Sequence, residues 1–352
     1  MASYTTIDNP ELFFQGKLYT GAGDSTAVTL DGDENMQPDL IWMKNRGATY
    51  DHHIYDSIRG GRYYLESSTT NGQQDLGSGN QIDFDSDGFT SNNDFNSTSK
   101  TSSTYVAWCW KAGTSFSNDA SATSIGDIDS SGSVSQTAGF SICSYTGSGT
   151  SGDTIKHGLS TAPKIIIIKK TSAGDNWTML NTNISLNTHL HFTTASAVSD
   201  PMFNNTAPTT SVFTVDSDGQ VNGSGNTFIA YCFSEVQGYS KFGSYTGNGN
   251  ADGPFIYTGF RPAWLLVKRA SGGTQDWQLF DSKINPFNDA TICLRPNQNN
   301  GDQTGNSMDL LSNGFKNRLT GSSVNTNGDT YIYMAFAEAP FVNSSGIPCN
   351  AR

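Results

Sequence analysis

Glutamate is nearly missing from this chain. Of 32 acidic residues in 352 only five are Glu: Glu11, Glu34, Glu66, Glu235 and Glu338. Leu, Ala and Lys are also scarce. Glu and Lys serve helix surfaces, whereas Asp, Asn, Gly, Ser and Thr serve turns and caps. A helical bundle is therefore excluded. No apolar run approaches the roughly 18–20 residues of a membrane-spanning helix. The longest, Ile165 to Ile168, has the length of a strand interior. A basic tract is lacking too, and the net charge is −12. An acidic chain repels phosphate, so nonspecific nucleic-acid binding is not expected. Met1-Ala2-Ser3-Tyr4 offers neither a basic nor an apolar start, so no secretion signal is expected. The five cysteines (Cys109, Cys143, Cys232, Cys293, Cys349) are odd in number and include no CxxC. They read as reduced, mostly buried thiols of a protein made in a cytosol.

What is present points to β structure. Glycine occurs 37 times and aromatics make up 11% of the chain, enough to fill cores and to argue against disorder. The length suggests two or three domains.

A search for internal repeats resolves the number. Tyr19-Thr20-Gly21 returns as Tyr145-Thr146-Gly147 and Tyr245-Thr246-Gly247. A proline then leads an apolar run ending in lysine: Pro38 to Lys44, Pro163 to Lys169 and Pro262 to Lys268. Asp56, Asn181 and Asp281 follow, with His52, Trp177 and Trp277 four residues earlier. Next comes a Ser-Asp/Asn-Gly turn at Gly88, Gly219 and Gly314. Each unit closes on an aromatic strand: Thr104 to Trp110, Thr227 to Phe233 and Thr330 to Phe336. The Tyr-to-Pro spacings are 19, 18 and 17 residues, and Pro-to-Asp/Asn 18, 18 and 19.

The expected fold is all-β, with three tandem antiparallel β-sandwich repeats of jelly-roll or concanavalin-like type. They occupy 1–113, 137–237 and 238–342. A Ser/Gly-rich linker is expected over 114–136, where Ser133 to Ser135 could add an edge strand, and a tail over 343–352. The short second junction predicts a fixed angle, the longer first one a looser attachment. The Pro-led strand is apolar on both faces and belongs in a sheet centre. Along the first closing strand Tyr105, Ala107 and Cys109 share one face, and Val106, Trp108 and Trp110 the other. The aromatic face is expected to pack against the opposite sheet of its own sandwich.

Constellations for catalysis are lacking: no HExxH, no Walker A loop, no GxSxG elbow. The Gly21-Ala22-Gly23 and Gly147-Ser148-Gly149 stretches are followed by no helix, so they read as turns. Glu235 and Glu338 stand at equivalent strand ends, but the first unit has Ala112 there, which argues against a repeated acid. No enzyme, cofactor or metal is expected. Asp83, Asp85 and Asp87 match the opening of a calcium loop, but only the Ser-Asp/Asn-Gly turn recurs in the other units. His189 and His191 share a strand face and read as half a metal site at most. Lys44, Lys169 and Lys268 recur at the end of the Pro-led strand, and a cross-strand pair with Asp56, Asn181 or Asp281 is their plain reading. Arg59-Gly60-Gly61-Arg62-Tyr63-Tyr64 places two Arg and two Tyr around a glycine pair. Planar guanidinium and aromatic faces suit sugar rings, so Arg59, Arg62, Tyr63 and Tyr64 are the candidate ligand-binding residues; a loop covering a neighbour would use the same types.

Gln37 to Arg46, Ala107 to Gly113, Phe242 to Gly249 and the ending Ala337 to Arg352 resemble an uncharacterised family of marine tailed-phage virion proteins. That family is labelled by an unknown-function domain and loosely called tail fibre or lectin-like. The resemblance covers essentially the whole chain and carries over no catalytic or binding residue. It implies a virion component assembled in host cytoplasm: a fibre-like or receptor-binding adhesin for host surface glycans, or alternatively a capsid-surface decoration, cement or tail structural protein. The expected partners are other virion proteins, a homo-oligomer with a trimer favoured, and a host glycan, without nucleic acid or membrane insertion.

Overall fold

The computed structural model describes residues 4–321 and 323–349. Among them the one α-helix has four residues, α1 (Ala120–Thr123), and none is long and apolar enough to cross a membrane. The first segment holds β1 (Phe14–Thr20), β2 (Thr26–Val28), β3 (Leu40–Asn45), β4 (His53–Asp56), β5 (Tyr63–Glu66), β6 (Gln74–Asp75), β7 (Ile82–Asp85), β8 (Gly88–Ser91) and β9 (Thr104–Trp110). Next come β10 (Thr114–Asn118), β11 (Ser130–Ser135), β12 (Phe140–Thr146), β13 (Thr154–Lys156), β14 (Ile165–Lys170), β15 (Thr178–Asn181), β16 (Thr188–His191), β17 (Val198–Ser199), β18 (Val212–Thr214) and β19 (Thr227–Phe233). The last segment holds β20 (Ser240–Thr246), β21 (Phe255–Tyr257), β22 (Phe260–Arg269), β23 (Gln278–Asp281), β24 (Met308–Leu311), β25 (Gly314–Asn317) and β26 (Thr330–Pro340).

Among the described residues every pair of named strands is antiparallel, and no sheet closes into a barrel. The large sheets run β1-β9-β3-β4-β5-β6, then β12-β19-β14-β15-β16-β17 with β11 and β10 added before β12, then β20-β26-β22-β23. One pairing order thus recurs: opening strand, closing strand, Pro-led strand, then the Asp/Asn strand. A smaller sheet faces each: β2-β8-β7, β13-β18 and β21-β25-β24. The Pro-led strands are central and buried throughout β3 and β14, as double-sided apolarity requires. Pro262 differs by lying inside β22, at a register shift, where a missing N–H is tolerated.

The expected destination of the aromatic face is corrected. Ala107 and Cys109 of β9 face the small sheet, where Val28, Ile41, Met43, Tyr55, Ile82 and Phe89 complete a core. Trp108 and Trp110 face the other way, into a core shared by all three segments. Trp264 there meets Trp42, Trp108, Trp110 and Phe336 at ring centroid distances of 6.4, 6.5, 5.7 and 5.8 Å. Phe336 also meets Phe14 of the first segment and Phe233 of the second. The centre leaves a cavity of only about 20 Å³, lined from all three by residues including Trp42, Ile167, Phe233, Trp264 and Met334. The physical reason is packing: the face of β9 that carries Ala107 and Cys109 is closed by its own small sheet, and the opposite face, with both indoles, is covered only by the large sheets of the other two segments.

Two further expectations change. The 114–136 stretch is structured: β10 and β11 extend the second large sheet, and α1 is capped by Asp119. Ser133 Oγ accepts from Gly113 N–H at 3.0 Å and lies 3.3 Å from Asp39 Oδ1, so the first segment is fastened rather than loosely strung. The Ser-Asp/Asn-Gly turn makes a tight hairpin at β7–β8 and β24–β25 but not in the second segment, where β18 pairs with β13 instead. Only Gly88 of the three has positive φ. Gly88 and Gly314 share another need: a Cβ would lie 2.0 Å from Val28 O or Ile256 O.

Candidate functional site

The segments meet through side chains that the repeat places at equivalent positions. Trp177 Nε1–H donates to Glu66 O of the first segment at 2.8 Å, and Trp277 Nε1–H to His191 O of the second at 2.9 Å. His52 holds the corresponding place in the first segment, whose Ser67 Oγ–H donates to Pro296 O of the third. Each segment therefore reaches the next in one rotational sense, and the ring closes within one chain.

The recurring lysines follow this geometry. Lys44, Lys169 and Lys268 are fully buried and do not pair with Asp56, Asn181 or Asp281. Their ammonium groups donate to backbone carbonyls: Lys169 to Thr70 O and Asp175 O, and Lys268 to Thr193 O, Thr194 O and Gln275 O. Lys44 instead serves Asn45 O and Ala48 O of its own segment. Lys169 and Lys268 each lie 5.9 Å from the ring of Trp177 or Trp277. Burial lowers each lysine to about 8, because the charged form loses solvation.

The Asp/Asn position is a junction as well. Asp56 accepts from Ile58 N–H, Arg59 N–H and Arg59 Nε–H, and from Tyr231 OH of the second segment at 2.7 Å. Asp281 accepts from Lys283 N–H, Ile284 N–H and Trp108 Nε1–H of the first segment, the last at 2.7 Å. At the third equivalent position Asn181 accepts from Asn183 N–H at 2.9 Å. The closing strands carry Trp108, Tyr231 and Met334 at matching places, so the two donors number the same as the two carboxylates. The repeat marked the Asp/Asn position but paired it with the lysines; only the ring shows that its partners are Tyr231 and Trp108 of other segments. Asp56→Ala is expected to cost about 3–5 kcal/mol, because it strands the buried Arg59 charge. Urea denaturation compares it with Asp75→Ala on the surface; equal losses would refute the junction role.

Arg59 is turned inward. Its side chain is 6% exposed, bonded to Asp56 and to Ile54 O, and offers nothing to a solvent-side ligand. Arg62 is exposed, Tyr63 is half-buried, and Tyr64 is half-buried against the core beneath the first small sheet. The Arg62 guanidinium forms a two-pronged pair with Asp75, both bonds 2.6 Å, and sits 5.8 Å from the Tyr63 ring centroid. Tyr64 stacks on His53 at 4.1 Å. The four candidates are thus one structural arginine, one exposed arginine paired with Asp75, and two half-buried tyrosines beside it.

The remaining sequence candidates have separate duties. Asp83, Asp85 and Asp87 accept from Asn92, Thr90 and Met36 N–H respectively, which supports the turn reading. His189 and His191 lie 4.6 Å apart between ring centroids, and His189 Nδ1 bonds Asp200 O. Among the described residues no group of three or more His, Cys, Asp or Glu could hold a metal ion. Glu235 pairs with Lys241 and Glu338 with Arg261. Cys109, Cys143, Cys232 and Cys293 are buried free thiols, and Cys349 is exposed.

No curated protein and no solved structure matches the chain. A single family pattern spans all three segments, from residue 9 to residue 340. The chain belongs to the family defined by the domain of unknown function DUF7483.

Proposed function

We propose that the protein is a structural component of a tailed-phage virion, acting without catalysis as a fibre-like or receptor-binding adhesin for host surface glycans. The observation that carries this reading is the shared aromatic core. The three segments are locked around it, which suits presentation of a fixed surface rather than a moving active site. The virion assignment draws on the similarity of Gln37 to Arg46 and Ala107 to Gly113 to phage proteins. Free thiols fit assembly in a host cytoplasm.

Arg62, Tyr63 and Tyr64 form the first proposed glycan contact. Tyr63→Ala with Tyr64→Ala is expected to weaken retention on immobilised host polysaccharide; unaltered retention would remove this patch. The inward turn of Arg59 favours the second reading, a capsid-surface decoration or tail protein with no ligand. Locating the chain in a virion reconstruction, on the head or on the tail, separates the two. The proposed trimer must form through outer surfaces, because the aromatic faces are already covered within one chain. A single 37.8 kDa species in light scattering would remove it.

A further inference from the structure

The N-terminal segment crosses the junction of the second and third segments and is fastened there. Tyr4 OH donates to Gly259 O at 3.0 Å and lies 3.0 Å from Tyr257 OH. Thr5 Oγ1–H donates to Gln237 O at 2.7 Å. Two adjoining depressions flank this crossing, of about 400 and about 530 Å³, and both are lined by Tyr4, Glu235 and Gln237. The first adds Lys241 and Tyr257, the second Gln136 and Thr137. Each falls within the several-hundred-Å³ range of small-ligand sites.

We propose that this groove is a saccharide-binding site for a short uncharged oligosaccharide. Its chemistry selects that class. Tyr257 is 53% exposed, at the end of the edge strand β21, and offers a ring against which a pyranose can lie. Around it stand groups that match hydroxyls in both directions: the Lys241 ammonium donates, the Glu235 carboxylate accepts, and the exposed Gln237 amide does both. The walls are set beforehand. Glu235 is held by Phe242 N–H at 2.8 Å and by Lys241 at 3.2 Å, and Gln136 by Ser160 N–H at 2.8 Å. A fixed frame lowers the ordering cost of binding.

Other ligands fit less well. Val236 is the only aliphatic side chain lining either depression, which leaves little for a lipid or a hydrophobic peptide. The Lys241 charge is matched by Glu235 in a chain of net charge −12, so a polyanion finds no excess of cations.

The groove is separate from the Arg62–Tyr64 patch and does not depend on it. The test screens the full chain on an array of neutral hexose and N-acetylhexosamine oligosaccharides, then titrates the best binder by calorimetry. Tyr257→Ala and Lys241→Ala are each expected to weaken binding at least tenfold with an unchanged melting temperature, whereas Tyr63→Ala with Tyr64→Ala leaves it intact. Three results would overturn the proposal: no oligosaccharide bound, binding unchanged in both groove variants, or binding lost only in the Tyr63/Tyr64 variant. The last result would leave the surface patch standing as the glycan contact.

Discussion

Trp108→Ala is expected to destabilise the protein by about 3–5 kcal/mol, read as a shift in urea-denaturation free energy at pH 7. Trp108 is fully buried in the shared core, and its ring meets Trp42 and Trp264 at centroid distances of 6.0 and 6.5 Å. Removing the indole opens a void at the point where segments meet, which the neighbouring rings cannot fill without leaving their own contacts. A second loss adds to it. Trp108 Nε1–H is a direct hydrogen bond to the buried Asp281 carboxylate, a group whose pKa burial already raises. Trp108→Phe separates the two effects: it keeps most of the packing and removes the bond, so a loss of about 1.5–3 kcal/mol is expected. Since the indole bridges the first and third segments, Trp108→Ala should also expose the β9 face to hydrophobic dye. A denaturation midpoint unmoved by Trp108→Ala would contradict the shared-core arrangement.

Stability is expected to fall steeply as the pH drops from about 6.5 towards 4. His52, His53, His157 and His191 are all held neutral by burial, with His53 lowered to about 3 and His157 and His191 to about 4. Nearby Lys44 lowers His52 and His53 further by repulsion. The unfolded chain takes up protons near pH 6.5 while the folded one does not. Stability is therefore fully present above about 6.5 and lost as the pH falls, by up to about 1.4 kcal/mol per pH unit for each histidine. His157 gives the cleanest check. Its Nδ1 accepts from Leu159 N–H at 3.1 Å and its Nε2 lies 3.2 Å from Thr209 O, which fixes the neutral tautomer. Because Gln can supply both an acceptor and a donor but does not titrate, His157→Gln should flatten the stability profile between pH 4.5 and 6. An unchanged slope there would show that His157 does not contribute.

The pattern of the sequence revealed much of this architecture. The alternation in Thr104 to Trp110 separated the strand's two faces, and the apolar run Ile165 to Ile168 identified a strand in a sheet centre. Local turn chemistry was readable where it depends on neighbours in sequence, as at Ser86-Asp87-Gly88. It misled at Ser217-Asp218-Gly219, because β18 finds its partner in β13 rather than across that turn. Arg59 looked like a ligand contact because a surface arginine and one buried against Asp56 have the same local sequence. The groove beside Tyr4 was invisible, since residues 4, 136, 235, 241 and 257 have no shared spacing.

By itself the sequence determined the landmark strands, their recurrence and the two-faced character of the central ones, because side-chain alternation and turn formation are local. The tertiary structure decided which face meets which neighbour, sending the indoles of all three segments to one common centre. It also decided that Tyr231 answers Asp56 and Trp108 answers Asp281, contacts that span 175 and 173 residues. Such pairings arise from the closure of a ring, a property of three packed sheets that no single stretch of chain contains.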